Sequence, residues 1–158
     1  MTSMQHECET VRQISIRQWS EWAQAGCAPM VTIPLDGDSM RPLIRRNRDQ
    51  VTIQPLTRPL RHGDVVLFRS SSGQHVVHRV WKLHGSFVRT LGDNCWNPDP
   101  WIPAGQVLGL AIAVKRGARV FRLDTPFARI TGRMWLALRP IRNLWRRIKS
   151  RLRRRWCQ

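Results

Sequence analysis

Apolar residues follow a helical period at both ends of this chain and a strand-like pattern between them. Val11, Ile14, Trp19, Trp22 and Ala23 recur at near-helical spacing, which predicts a short amphipathic helix that Gly26 ends. Short β-favouring runs follow at Val51 to Ile53, Val65 to Phe68, Val76 to Trp81, Phe87 to Leu91 and Val107 to Val114. Turn formers separate them, as at Ser70-Ser71-Ser72-Gly73, Gly85-Ser86 and Asn97-Pro98-Asp99-Pro100. Further on, Ile130, Met134, Leu138, Ile141, Trp145, Ile148, Leu152 and Trp156 recur at steps of three or four and draw one apolar stripe on a helix. Pro140 lacks an N–H and crowds the preceding turn, so it should kink or divide that helix near Leu138. The pattern predicts a mainly β core between two helical ends.

A chain of 158 residues, 42% of them hydrophobic, is long enough to bury one ordinary core, and it shows no internal repeat. The economical division is a helical segment over 1–30, a core domain over 31–118 and a basic amphipathic tail over 119–158. Cys8, Cys27, Cys95 and Cys157 form no Cys-x-x-Cys pair and no zinc-like spacing, so neither a metal site nor a cofactor is readable and the thiols are expected free in a reducing compartment. The N-terminus carries Glu7 and Glu9 and no apolar run of signal-peptide length, and no stretch approaches the ~20 apolar residues that span a bilayer. The expected location is cytoplasmic, including the inner membrane surface.

Candidate chemistry lies in four short motifs: Gly37-Asp38-Ser39-Met40-Arg41-Pro42, Gly63-Asp64-Val65-Val66-Leu67-Phe68, His78-Arg79-Val80, and Gly92-Asp93-Asn94 with Asp99 beyond it. A serine hydroxyl needs a base within hydrogen-bond reach to attack a carbonyl. His78 is the candidate base, since an imidazole of ordinary pKa, about 6.5, is largely neutral near pH 7 and can carry the proton to a departing amine. On that value the acidic limb of kcat/KM is expected at about pH 6 to 7 unless the site perturbs the ring. A carboxylate on the far ring nitrogen would fix the tautomer, and Asp93 and Asp99 compete for that position. Taken singly, each motif also reads as turn or strand chemistry: Gly37-Asp38-Ser39 as a turn, Gly92-Asp93-Asn94 as a hairpin loop, His78 as a structural histidine in an apolar strand. His75, three residues from His78, points to the other face of a strand, so only one of them can serve Ser39. His62 and His84 precede glycines and read as solvated loop residues.

Together, in this order and at these intervals, the motifs resemble the catalytic core of the type I signal peptidases from about Val31 to Val114. His78-Arg79-Val80 is similar to the Ser-His type of that family, in which His stands where the other type carries Lys. The resemblance implies a coiled β-sheet and a serine endopeptidase in the superfamily shared with self-cleaving repressors. It also implies Ser39 as nucleophile, His78 as base and Asp99 as the orienting carboxylate, with Asp93 supporting the site. Many bacterial relatives carry a Ser two residues before the nucleophile. Gly37 stands there in this chain, so the oxyanion hole would rest on backbone N–H groups at Ser39 and Asp38.

Net charge is +17, and residues 125–158 hold eleven Lys or Arg and no Asp or Glu. An apolar stripe with Trp and Leu beside Arg fits an interfacial helix on an anionic membrane, which ranks first among three readings of the tail. Packing of the stripe on the core domain or a partner protein ranks second. Nucleic-acid binding ranks third, because phosphate contacts need the cations but not the stripe. The function expected is cleavage of a protein or peptide precursor. The competing class is a non-catalytic regulatory or nucleic-acid-binding protein on the same scaffold.

Overall fold

The computed structural model describes residues 16–144. Val11, Ile14, Cys8 and Cys157 lie outside them, as do the tail positions Trp145, Ile148, Leu152 and Trp156. Helix α1, Ile16–Gln24, closes where expected: the Gly26 N–H returns to the Ala23 carbonyl and the Cys27 N–H to the Trp22 carbonyl, with Gly26 at φ +75°. Trp19 drives this helix onto the core. It is fully buried, and its indole N–H donates to the Pro29 carbonyl at 2.7 Å.

Eight strands form one antiparallel sheet: β1 Val31–Pro34, β2 Asp49–Pro55, β3 Val65–Arg69, β4 His75–His84, β5 Phe87–Leu91, β6 Trp101–Pro103, β7 Val107–Arg116 and β8 Arg119–Arg122. The path runs β1-β2-β7-β3-β4-β5-β6. One edge of β7 carries β2, so β3 and β8 share the other, β3 along 107–110 and β8 along 113–116. All five strand runs expected from the pattern are present, some longer than the runs themselves. Strands β1, β6 and β8 are additional. The last occupies residues 119–122, at the start of the expected tail, because Gly117 at φ +57° turns the chain back along β7.

Register slips at Thr52/Ile53, Leu67/Phe68 and Val80/Lys82 bend the sheet, since each adds a residue to one strand only. The bent sheet buries both faces. Val65 and Leu67 enter a cluster with Trp19, Met40 and Ile53, while Val66 and Phe68 enter another with Val80, Val88 and Ile102. This two-sided burial explains the unbroken Val-Val-Leu-Phe run of β3.

Helix α2, Pro126–Ala137, starts at a Thr125 cap whose hydroxyl accepts from the Ala128 N–H at 3.1 Å, with Pro126 in the first turn. It ends at Leu138, and residues 139–144 are again helical, which is the division expected from Pro140. No helix among the described residues is long and apolar enough to cross a membrane. Because Trp19 is the largest fully buried side chain, Trp19→Ala should destabilise the protein by about 3–5 kcal/mol. Urea unfolding checks this, and an unshifted midpoint would contradict the packing of α1.

Candidate active site

Ser39 opens a chain of turns between β1 and β2 whose next residue, Met40, is buried in the core. Asp49 and Arg116 pin the far end of these turns. The Asp49 carboxylate accepts from the Arg45 N–H at 2.9 Å and pairs with Arg116, which also donates to the Leu43 carbonyl at 3.0 Å. The near end is held by the loop after β5: the Asn94 N–H donates to the Ser39 carbonyl at 2.7 Å and its side-chain amide to the Asp38 carbonyl at 3.1 Å. Ser39 is thus fixed on two sides while remaining partly exposed.

His78 lies on β4, opposite Val66 of β3, and is 7% exposed. Its Nδ1 meets Asp99 Oδ2 at 2.7 Å. Three further bonds place that carboxylate: the Thr90 hydroxyl donates to Oδ2 at 2.5 Å, the Asp99 N–H donates to the Thr90 carbonyl at 2.9 Å, and Arg89 Nε donates to the Asp99 carbonyl at 2.9 Å. With Nδ1 engaged by a carboxylate, Nε2 is the ring nitrogen available to a second partner.

Burial alone would lower the His78 pKa, but hydrogen bonding to Asp99 and to the Cys95 sulfur outweighs it and raises the ring to about 9. The same pair holds Asp99 below the usual carboxylate range, against the desolvation that opposes it. The ring thus departs from the ordinary imidazole value of about 6.5, because a buried carboxylate favours the imidazolium.

Gly92 makes room for this arrangement. A Cβ there would stand 2.6 Å from Cys95 Sγ, 2.8 Å from the Ser39 carbonyl oxygen and 3.0 Å from His78 Nε2, so only glycine lets the three converge. Cys95, read from sequence as one free thiol among four, stands beside the His78 ring. Ser39 and His78 line a common cavity of about 700 Å³ with Ile33, Pro34, Leu35 and Val77. No hydrogen bond among the described residues joins the Ser39 hydroxyl to the ring.

Asp93 does different work. Arg79, the neighbour of His78 on β4, donates to both Asp93 oxygens at 2.9 and 2.8 Å and to the Gly63 carbonyl at 2.9 Å. Adjacent strand residues leave opposite faces, so His78 and Arg79 serve two different sites. The pair is almost wholly buried, roofed by Gly132 of α2, where a Cβ would fall 2.2 Å from Arg79 Nη1. The Trp135 indole donates to the Asp93 carbonyl at 3.2 Å. The Gly63-Asp64 motif is the floor: Arg58 grips Asp64 at 2.8 Å through both oxygens, and the Val80 N–H donates to the Asp64 carbonyl at 2.7 Å.

Ser39, His78 and Asp99 are thus brought to one place, and Asp93 is brought to the adjoining ion pair. His75 also lines the cavity shared by Ser39 and His78, with its Nε2 buried and making no hydrogen bond, against the expectation that it would face away, and His62 lies exposed with Nδ1 3.1 Å from the Trp81 carbonyl. Thr90, Arg89, Cys95, Gly132 and Trp135 were not singled out in the sequence, and only the two-residue alternation of β5, which buries Thr90 with Val88, gave any signal for them. No protein-family model matches this chain, and no curated protein matches it.

Removing one partner of a buried ion pair leaves an uncompensated charge, so Asp93→Asn should destabilise the protein by about 3–5 kcal/mol at neutral pH. The His78 and Asp99 pair should instead be pH-dependent. The raised His78 contributes stability that is complete below about pH 6.5 and lost as pH rises through about 9. The lowered Asp99 contributes stability present above about pH 4 and lost as pH falls through its folded value. Asp99→Asn should therefore cost on the order of 2–3 kcal/mol near pH 6 and progressively less above pH 9. Denaturant unfolding across pH checks both, and a pH-independent Asp99→Asn deficit would contradict the ion pair.

Proposed function

We propose that this protein is a serine endopeptidase resembling the Ser-His type I signal peptidases. The observation that carries the reading is His78, fixed through Nδ1 by Asp99 at 2.7 Å and lining the same cavity as Ser39. Ser39 Oγ attacks the peptide carbonyl while His78 Nε2 takes its proton. The imidazolium, held by Asp99, passes that proton to the amine as the C–N bond breaks, and water then releases the acyl group from Ser39 by the reverse relay. Backbone N–H groups at Ser39 and Asp38 face the developing oxyanion in this scheme.

A polypeptide substrate is supported by the sheet edge. Among the described residues β1 pairs with β2 alone, which leaves its other edge open, and Ile33 and Pro34 reach the cavity that holds Ser39. An extended segment can add there as a further strand, although Pro34 offers no N–H and limits the pairing to the residues before it. Small side chains next to the scissile bond are what the resemblance adds.

A fluorophosphonate, which reacts with an activated serine, tests the reading without knowledge of the substrate. It should label Ser39. Ser39→Ala should abolish labelling, His78→Ala should nearly abolish it, and the double variant should be no worse, as for groups acting as a unit. Absence of labelling in the folded protein would favour the non-catalytic alternative. Labelling that persists in Ser39→Ala but is lost in Cys95→Ser would move the nucleophile to the thiol beside His78.

The labelling rate should also report the base. Only neutral imidazole accepts the proton, so the rate should climb with pH through about 9. Asp99→Asn should lower the plateau by roughly two to four orders of magnitude and move the limb toward acid, whereas Asp93→Asn should leave the limb in place. A limb unmoved by Asp99→Asn would remove Asp99 from the relay.

A further inference from the structure

The C-terminal helices are turned inside out. Their polar and small residues face the protein: Gly132 covers Arg79, Trp135 donates to the Asp93 carbonyl, Arg142 stacks on Trp135 at 3.8 Å, and Arg139 donates to the Trp96 carbonyl. The apolar stripe faces away. Phe127 is 75% exposed, Ile130 53%, Met134 59%, Leu138 46%, Ile141 56% and Leu144 58%. At β8, Val120 and Phe121 extend the same character, and they line a groove of about 610 Å³ together with Phe127. The stripe is therefore not core, and packing on the catalytic domain is ruled out for its described part.

We propose that this face docks on the surface of an anionic lipid bilayer. Three observations select that occupant. Residues 125–158 carry eleven cations and no acidic residue, so a negatively charged surface is the complement. A second copy of the chain brings another +17, which opposes self-association through this face. The centre of the face is apolar from Phe127 to Leu144 across both helical stretches, whereas a nucleic-acid surface would turn its arginines outward, and here Arg139 and Arg142 point in. An outward apolar stripe in a segment this rich in cations, with no helix among the described residues long and apolar enough to span, is the design of a segment that lies in the headgroup region. Docking is independent of the peptidase reading, because it is measured without turnover.

The protein over residues 1–158 should co-sediment with vesicles of mixed phosphatidylglycerol and phosphatidylcholine, and much less with phosphatidylcholine alone. Raising salt from about 0.1 to 0.5 M should weaken binding several-fold without abolishing it, since salt screens the cations but not the stripe. The triple variant Ile130→Ser, Met134→Ser, Ile141→Ser keeps every charge and changes only exposed positions. It should bind at least about tenfold more weakly while keeping the parent's circular dichroism and melting temperature. The single substitution Met134→Asp gives the same readout should the triple variant melt early. Binding to anionic vesicles that both variants leave unchanged would overturn the proposal. So would indifference to vesicles together with steeply salt-dependent binding of duplex DNA, or a dimer that the triple variant dissociates.

Discussion

The buried pair of Arg79 and Asp93 ties together segments that are far apart in the chain. Arg79 belongs to β4, Asp93 to the loop after β5, and the carbonyl of Gly63, which shares the guanidinium, to the turn before β3. Gly132 and Trp135 of α2 close the pair from above. One residue beyond Asp93, the Asn94 N–H holds the Ser39 carbonyl. The position of the serine loop relative to β4 therefore depends on an ion pair that never touches the serine. Burying two charges is costly, and it is tolerated here because the guanidinium makes three hydrogen bonds and both carboxylate oxygens are satisfied.

Two acids six residues apart take unlike tasks because neighbouring residues on β4 face opposite ways. Arg79 claims Asp93, which leaves the His78 ring to Asp99. The ring responds to that carboxylate and to the Cys95 sulfur by holding its proton up to about pH 9, so the site rests as imidazolium near neutral pH. Under the proposed chemistry, a substrate that displaces the thiol from the ring would also release the base for its role.

Much of the fold was legible because burial on two faces leaves an unmistakable run, as in Val65 to Phe68, and because Gly26 and Pro140 mark helix ends by their backbone chemistry. The strands that escaped were short or masked by polar residues: β6 has three residues, β1 ends in proline, and β8 begins and ends in arginine. Ser39 and His78 were legible as types in an order. The choice between Asp93 and Asp99 was not fixed by spacing, since it depends on the register of β4 against β5 and on the return of the loop through Thr90 and Asp99. Cys95 reaches the site only because that loop folds over Gly92. The stripe of the tail was visible in the sequence, but its outward direction depends on Gly132, whose missing side chain lets the polar face approach Arg79.

Asp99 holds the His78 ring through Nδ1, and under the proposed chemistry Nε2 serves Ser39. Titration of the His78 ring by nitrogen NMR reads this directly. The ring should titrate near pH 9 in the parent protein and well below that in Asp99→Asn, with Ser39→Ala leaving it close to the parent value. A ring that titrates near pH 6.5 and ignores Asp99→Asn would contradict the account at its centre.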